Sequence, residues 1–377
     1  MKVVIAVTHL LGTGHLSRAL TLARAFSAAG HEATVMTGGM PVTQLDTSGT
    51  TLFQLPALRS DGVNFTRLLT SASEVADETF LAQRQKAACE HLLRCAPDIL
   101  LTELYPFGRR VLAAEFLALL KTAQSLPAPP VILASIRDIL APPSKMAKAK
   151  RADEVIAAYY DGVLIHSDPT TTRLETSWPV SDMLESKLHY TGYVAPPPPT
   201  THPKGEGKGE VIVSAGGGSV GTALFETACD AARLMPAHVW RLLVGGGDAQ
   251  KQIDALRQRN SPALIQHARP DFRQMLCHAA ASVNMCGYNT AMDVLQSGVP
   301  SVMIPFDAGQ EVEQTLRASS LASLPATALL PSRDLTAAEL CARLEPLLSS
   351  PRRAVGRLNF DGARRAVEIA CAMVGSR

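Results

Sequence analysis

The chain has no cysteine pattern that could staple it or clip a metal. Its seven cysteines, Cys89, Cys95, Cys229, Cys277, Cys286, Cys341 and Cys371, are odd in number, scattered and never spaced C-x-x-C. That excludes a disulfide framework and a zinc site, and points to reduced thiols in a cytoplasmic protein. An excess of one charge is missing too: 36 Lys and Arg stand against 34 Asp and Glu, a net charge of +2. A dedicated nucleic-acid binder needs a basic surplus for its phosphate contacts, so nucleic acid is not expected as a partner. No stretch reaches the roughly 18 uninterrupted apolar residues of a membrane span. Any membrane contact is therefore expected to be peripheral, and the expected location is the cytoplasm, peripheral to the inner membrane if a membrane is touched at all. The opening MKVVIAVTHLLGTGH superficially resembles a secretion signal, but its short apolar run ends in a Gly-x-Gly-His turn, not a small-residue cleavage site. It reads as a first β-strand.

What is present is ample core material. Hydrophobic residues make up 46% of the 377 positions and charged residues 19%, which suits a globular enzyme of about two domains. Short β-branched runs at residues 3–7, 33–36, 98–102, 131–134 and 162–166 alternate with helical patterns, the first over residues 17–29. Such alternation predicts a parallel sheet covered by helices. The stretch GYVAPPPPTTHPKGEGKGE, starting at Gly192, has no periodicity and reads as a linker. The pattern then restarts with strands at 211–214 and 240–244 and a helix over 222–234. The expected organisation is residues 1–195 as an N-terminal domain, 196–209 as linker, 210–350 as a second domain and 351–377 as a closing helix returning to the first. The tail arginines Arg352, Arg353, Arg357, Arg364 and Arg365 read as a solvated helix face.

Three segments carry chemistry. Gly12-Thr13-Gly14-His15 lies between the first strand and the first helix, where glycine lets the backbone turn tightly. The dinucleotide fingerprint would need a third glycine and an acidic end to the second strand; neither is there, which disfavours nicotinamide. Ser214 to Gly221 occupies the same strand-to-helix position in the second domain, and its free N–H groups with the Ser219 hydroxyl suit a diphosphate. It lacks the Gly-Lys-Ser/Thr ending of a P-loop. The third segment runs from Asn284 to Pro300, with Asp293 early in a helix, where a carboxylate can accept both ribose hydroxyls.

In this order and spacing the segments resemble the GT-B fold glycosyltransferases, most closely the MurG-type, glycosyltransferase family 28-like N-acetylglucosaminyltransferases. The family's first glycine loop is matched by Gly12-Thr13-Gly14-His15, its Gly-Gly-Ser-x-Gly loop by Gly217-Gly218-Ser219-Val220-Gly221, and its Ser-Gly-x-x-Thr-x-x-Glu segment by Cys286 through Asp293. Gly298-Val299-Pro300 and Pro305-Phe306 match its following turns. Asp293 replaces the family's glutamate, and Glu313-Gln314 stands where the family has paired glutamines that read the donor sugar. The Glu103 to Arg109 segment and the region of Asp138 have no counterpart, suggesting an acceptor of its own.

The resemblance implies an α/β fold of two Rossmann-like, doubly wound parallel-sheet domains facing across a cleft. It also implies inverting, metal-independent transfer of a hexose or N-acetylhexosamine from a nucleotide-diphosphate sugar, a UDP-sugar, to an unidentified hydroxyl acceptor that is lipid-linked, a saccharide or a small molecule. No cofactor beyond the donor and no metal is implied; Asp-x-Asp is absent. His15 is the candidate general base, since a loop imidazole titrates in a useful range. Glu103, at the carboxyl edge of a strand, could orient His15 or act as base itself; Arg137 and Asp138 are acceptor-side candidates. The donor set comprises Gly14, Gly217, Gly218, Ser219, Val220, Gly246, Arg269, Gly287, Asn289, Thr290, Asp293, Gln310, Glu313 and Gln314. Lys145, Lys148, Lys150 and Arg151 beside Met146 read first as a solvated helix start and second as an anionic-membrane contact. The alternatives in other classes are a nucleotide-sugar hydrolase or epimerase and a non-catalytic nucleotide-sugar-binding subunit.

Overall fold

The computed structural model describes every residue except Leu11, 43–44, 61–66, 200–204, 217–219, 309–310, Val355 and Arg357. The chain forms two compact units, one of Met1–Ala195 with Asn359–Arg377, the other of Pro196–Leu358.

The first unit runs β1 (Lys2–Val7), α1 (Gly14–Ala28), β2 (Glu32–Gly39), β3 (Thr51–Ser60), β4 (Leu68–Thr70), α2 (Glu78–Cys95), β5 (Ile99–Glu103), α3 (Ala113–Gln124), β6 (Val131–Arg137), α4 (Met146–Tyr159), β7 (Gly162–His166), α5 (Asp182–Glu185) and β8 (Leu188–Tyr190). Its sheet is ordered β4-β3-β2-β1-β5-β6-β7-β8, parallel except where β4 runs against β3. Helices cover both faces, so β5 and β7 are buried at every position and read as unbroken apolar runs. The two-residue period of β1 sends Val3, Ile5 and Val7 to one core, with Leu16, Leu20 and Phe26 of α1, and Val4 and Ala6 to the other.

The second unit runs β9 (Val211–Ser214), α6 (Thr222–Leu234), β10 (Trp240–Val244), α7 (Ala249–Arg257), β11 (Leu264–His267), α8 (Phe272–Leu276), β12 (Ala281–Asn284), α9 (Tyr288–Ser297), β13 (Ser301–Met303), α10 (Glu313–Leu321), β14 (Thr327–Leu329) and α11 (Ala337–Leu348). Its six strands are parallel in the order β11-β10-β9-β12-β13-β14. In both sheets the first strand of the unit sits mid-sheet, with the chain winding first to one side and then to the other. Successive loops part at that point, between β1 and β5 and between β9 and β12, and leave a crevice at the carboxyl ends of the strands.

The closing helix, α12, spans Gly362–Gly375 and belongs to the first unit, where Ala366, Val367 and Ala370 join the core beneath α1. It starts later than its arginine-rich approach suggested, and two of those arginines are tied to loop carbonyls, one of them buried and the other exposed. Arg353 is buried, donating to the carbonyls of Pro325 and Val294 and to the Thr327 hydroxyl. Arg352 donates to the carbonyls of Ser297, Leu276 and Ala279. Guanidinium groups consumed by loop carbonyls hold residues 351–354 in an irregular path. Arg364 and Arg365 do lie on an exposed face, paired with Glu368, and Arg357 lies outside the described residues. Where α12 begins, a Cβ on Gly362 would stand 2.4 Å from the Gly192 carbonyl oxygen; only glycine permits that approach.

Candidate active site

The crevice of the first unit gathers a polar cluster. Glu103 ends β5 and is 1% exposed; His15 is the second residue of α1 and Arg18 lies one turn further on the same face. The Glu103 carboxylate is bonded by His15 Nδ1 at 2.8 Å, by Ser135 Oγ at 2.7 Å, and by Arg18 through Nε and Nη2. Register explains Ser135, which pairs directly with Glu103 across β5 and β6. Burial alone would raise the Glu103 pKa, but the Arg18 charge and the bonds from His15 and Arg18 outweigh it and hold the carboxyl well below its usual range. Glu103 is therefore ionised, and an ionised carboxylate only accepts. The hydrogen consequently sits on His15 Nδ1 and the lone pair on Nε2. Arg18 Nη2 also lies 3.1 Å from Nδ1, but a protonated Nδ1 cannot accept from it.

Burial, opposed by the Glu103 bond and helped by the Arg109 charge, lowers the His15 pKa to about 3. That lies below the range expected of a loop imidazole, because the ring is desolvated by burial; it is neutral at physiological pH, and its Nε2 lone pair is not the atom Glu103 holds. Behind it the chain of bonds continues. Ser135 Oγ gives its hydrogen to Glu103 and accepts from His166 Nε2 at 2.9 Å, while His166 Nδ1 accepts from the Thr191 hydroxyl at 2.9 Å. His166 is buried, and desolvation, followed by the Arg18 charge, lowers its pKa to about 3.

Of the other residues singled out here, Asp138 is turned inward, its Oδ1 accepting the Ile139 N–H at 2.8 Å, and Arg137 ends β6 half-buried. Met146 at the start of α4 is 68% exposed, with Lys148 bonded to Ser144 and Arg151 to Glu154.

In the second unit, Gly217, Gly218 and Ser219 lie outside the described residues, as does Gln310. Their flanks are defined. A Cβ on Gly216, at φ 79°, would lie 3.3 Å from Thr290 Oγ1, so the loop after β9 passes against the first turn of α9. Neither α6 nor α9 has a side-chain N-cap; Gly221 and Gly287 hold those positions. Their first N–H groups are left without side-chain caps, the arrangement that suits an anion. Val220 and Asn289 are exposed, Thr290 is half-buried, and Gly246, at φ 96°, turns the chain after β10.

Asp293 lies in the second turn of α9, and its Oδ1 accepts from Arg273 Nε of α8 at 2.9 Å. Arg273 Nη2 donates to Gln296 Oε1 at 2.5 Å and to the carbonyls of Pro196 and Pro197 at 3.0 and 2.9 Å. Oδ2 of Asp293 has no protein partner among the described residues. Burial, opposed by Arg273, raises the Asp293 pKa to about 6. Arg269 is already engaged, forked onto Asp271 at 2.8 Å and bonded to Glu206. Gln314 Oε1 accepts the Phe306 N–H at 3.1 Å, holding the Pro305-Phe306 turn, and the Glu313 N–H donates to Glu311 at 2.7 Å. The partners absent from the sequence reading are Arg18, Ser135, His166, Arg273 and Gln296. Arg18 alone carried a local signal, its three-residue spacing from His15.

A family model described as the glycosyltransferase family 28 C-terminal domain matches residues 212–359. The chain is 25% identical over 234 residues to the UDP-N-acetylglucosamine--N-acetylmuramyl-(pentapeptide) pyrophosphoryl-undecaprenol N-acetylglucosamine transferase of Cupriavidus pinatubonensis, covering 60% of this chain and 61% of that protein. The first curated relatives it matches are spanned over only 30% and 46% of their length. Among solved structures, the spinosyn forosaminyltransferase SpnP superposes with a TM-score of 0.68 at 14% identity, over 100% of this chain and 99% of that one. Acinetobacter baumannii MurG superposes with a TM-score of 0.62 at 16% identity, over 100% and 99%. These likenesses show the fold: two parallel-sheet α/β domains of the GT-B type.

Proposed function

We propose that this chain, whose second unit carries a family 28 C-terminal domain, is an inverting glycosyltransferase that moves a hexose or N-acetylhexosamine from a UDP-sugar to a hydroxyl acceptor. The observation that carries the reading is the His15–Glu103 pair at the β1/β5 crevice, which fixes the tautomer and leaves the Nε2 lone pair without a partner among the described residues. In the proposed step Nε2 takes the acceptor hydroxyl proton as that oxygen bonds to the anomeric carbon. The bond from that carbon to the donor diphosphate breaks, and the diphosphate leaves with the electron pair. A single displacement inverts the anomeric centre. Glu103 stabilises the imidazolium as it forms, the role a buried carboxylate plays behind a catalytic histidine.

The donor is assigned to the second unit. The uncapped starts of α6 and α9 would stabilise the leaving diphosphate through N–H groups and helix dipoles, without a metal or a further cofactor. Asp293 Oδ2 would accept ribose hydroxyls, and Glu313 and Gln314 would face the sugar. No helix among the described residues is long and apolar enough to cross a membrane. With all seven cysteines free, the reading is completed by a cytoplasmic site of action, peripheral to a membrane if the acceptor is lipid-linked.

The test is a thermal-shift panel of UDP-, GDP- and TDP-sugars on the full chain. A ligand at a hundredfold excess over its Kd adds about 2.7 kcal/mol of apparent stability. A shift with UDP-sugars above the others supports the reading; no shift with any nucleotide sugar overturns it. Measuring UDP release without an acceptor separates transfer from hydrolysis.

A further inference from the structure

Among its described residues the β1/β5 crevice holds one cation more than its carboxylate neutralises. Arg18 is spent on Glu103, and His15 and His166 are neutral. Arg109, at the end of the Glu103 to Arg109 segment, is a second guanidinium there. Its Nε donates to the Thr8 carbonyl at 2.6 Å, which fixes the plane of the fork. Its two terminal nitrogens carry no partner among the described residues. Among the described residues the one carboxylate that acts on it is Glu103, and Arg18 repels it. Counting Arg18 and Arg109 as +1 each and Glu103 as −1 leaves the cluster at +1. Burial lowers the Arg109 pKa to about 10, so the cation persists at neutral pH, and a desolvated charge without a counter-ion is costly. Next to Thr8, His9 is buried, gives its Nε2 hydrogen to the Met40 carbonyl at 2.9 Å, and keeps an Nδ1 lone pair with no partner. The open guanidinium fork and the His15 Nε2 lone pair thus belong to one cluster, whereas His9 Nδ1 is sealed beside Gly39.

We propose that Arg109 is an acceptor-binding residue and that the acceptor carries an anionic group, a carboxylate or phosphate, close to the hydroxyl that is glycosylated. The fork takes two oxygens of that anion side by side, as guanidinium groups do, and neutralises the cluster. The adjacent hydroxyl is then directed to the His15 Nε2 lone pair. This rests on the reading of His15 as base, but its own content is the charge of the acceptor.

The experiment is calorimetric titration of the full chain at low ionic strength with glycolate, whose carboxylate neighbours a hydroxyl, with inorganic phosphate, and separately with a UDP-sugar. It is run on the wild type, Arg109→Gln and Arg109→Lys. The expected result is anion binding by the wild type, at least tenfold weaker in Arg109→Gln and intermediate in Arg109→Lys, with UDP-sugar affinity unchanged within twofold in all three. Equal anion binding by wild type and Arg109→Gln, or none by the wild type, overturns the proposal. A parallel loss of UDP-sugar affinity, with phosphate competing against the nucleotide, assigns Arg109 to the donor diphosphate and overturns it as well. Should Arg109→Gln fail to fold, a tenfold loss of anion binding in Arg109→Lys decides, because lysine keeps the charge and loses the fork. Wild-type UDP-sugar binding reports on the proposed function separately, so the two can fail independently.

Discussion

Asp293 should make donor binding depend on pH in a window set by one carboxyl. Burial raises its pKa to about 6 while Arg273 works in the other direction. Only the ionised form accepts two ribose hydroxyls as charge-assisted bonds. At pH 7 about ten molecules in eleven carry the carboxylate, and at pH 5 about one in eleven. Apparent affinity should therefore fall roughly tenfold, about 1.4 kcal/mol, between those values, because the competent fraction scales the dissociation constant. The sign is fixed: affinity is fully present above the raised pKa and lost as pH falls through it. A UDP-sugar is the right ligand, since its diphosphate diester stays ionised throughout and does not add the secondary phosphate titration near pH 6. Calorimetry at half-unit steps from pH 5 to 8 reads the curve. Asp293→Asn should flatten it at weaker affinity. Arg273→Gln, by removing the cation that holds the carboxyl down, should move the midpoint above pH 6. A wild-type curve level across that range would refute the assignment of Asp293 to the donor.

His15→Ala should reduce turnover a hundredfold to ten-thousandfold with UDP-sugar affinity near wild type, and should cost about 1 to 3 kcal/mol of stability because a bond to buried Glu103 is lost; near-normal turnover would refute the base role. Ser135→Ala removes a bond to buried Glu103 and one from His166, so urea unfolding should show a loss of about 1 to 3 kcal/mol, and an unchanged midpoint would deny that the relay is structural. Gly362→Ala drives a Cβ to within 2.4 Å of one carbonyl oxygen and 2.6 Å of another. The backbone shift should cost about 1 to 3 kcal/mol, lower the melting temperature and leave donor affinity intact.

The strands were legible where both faces are buried. Val3 to Val7, Gly162 to His166, Val211 to Ser214 and Trp240 to Val244 are apolar runs with no competing period, and the observed strands contain or equal them. Strand β3 carried no such signal: it lies outside the doubly covered centre of the sheet, its positions mix exposed, half-buried and buried without a regular period, and Pro56 interrupts it. Glu103 could be read because it directly follows an apolar run and so ends on the ligand edge. Ser135 and His166 could not, because each joins the cluster through strand register, Glu103 against Ser135 and Arg137 against His166. Nor could the partner of Asp293, since α8 has five residues and no periodicity to show that Arg273 turns toward α9.

The path of the chain gives the two units different birthdays. The second is encoded without interruption between residues 196 and 358, whereas the first is split, its α12 being made after all of the second. During synthesis β1 to β8 emerge early but lack Ala366, Val367 and Ala370 to cover the face of α1. Domains usually complete in the order in which they leave the ribosome; here the later-starting unit can finish first, and the earlier one waits for α12 with an apolar face open. A chain truncated after residue 358 should therefore present a protease-resistant second unit beside a first unit still open to cleavage, which makes docking of α12 the step that seals the half carrying His15 and Glu103.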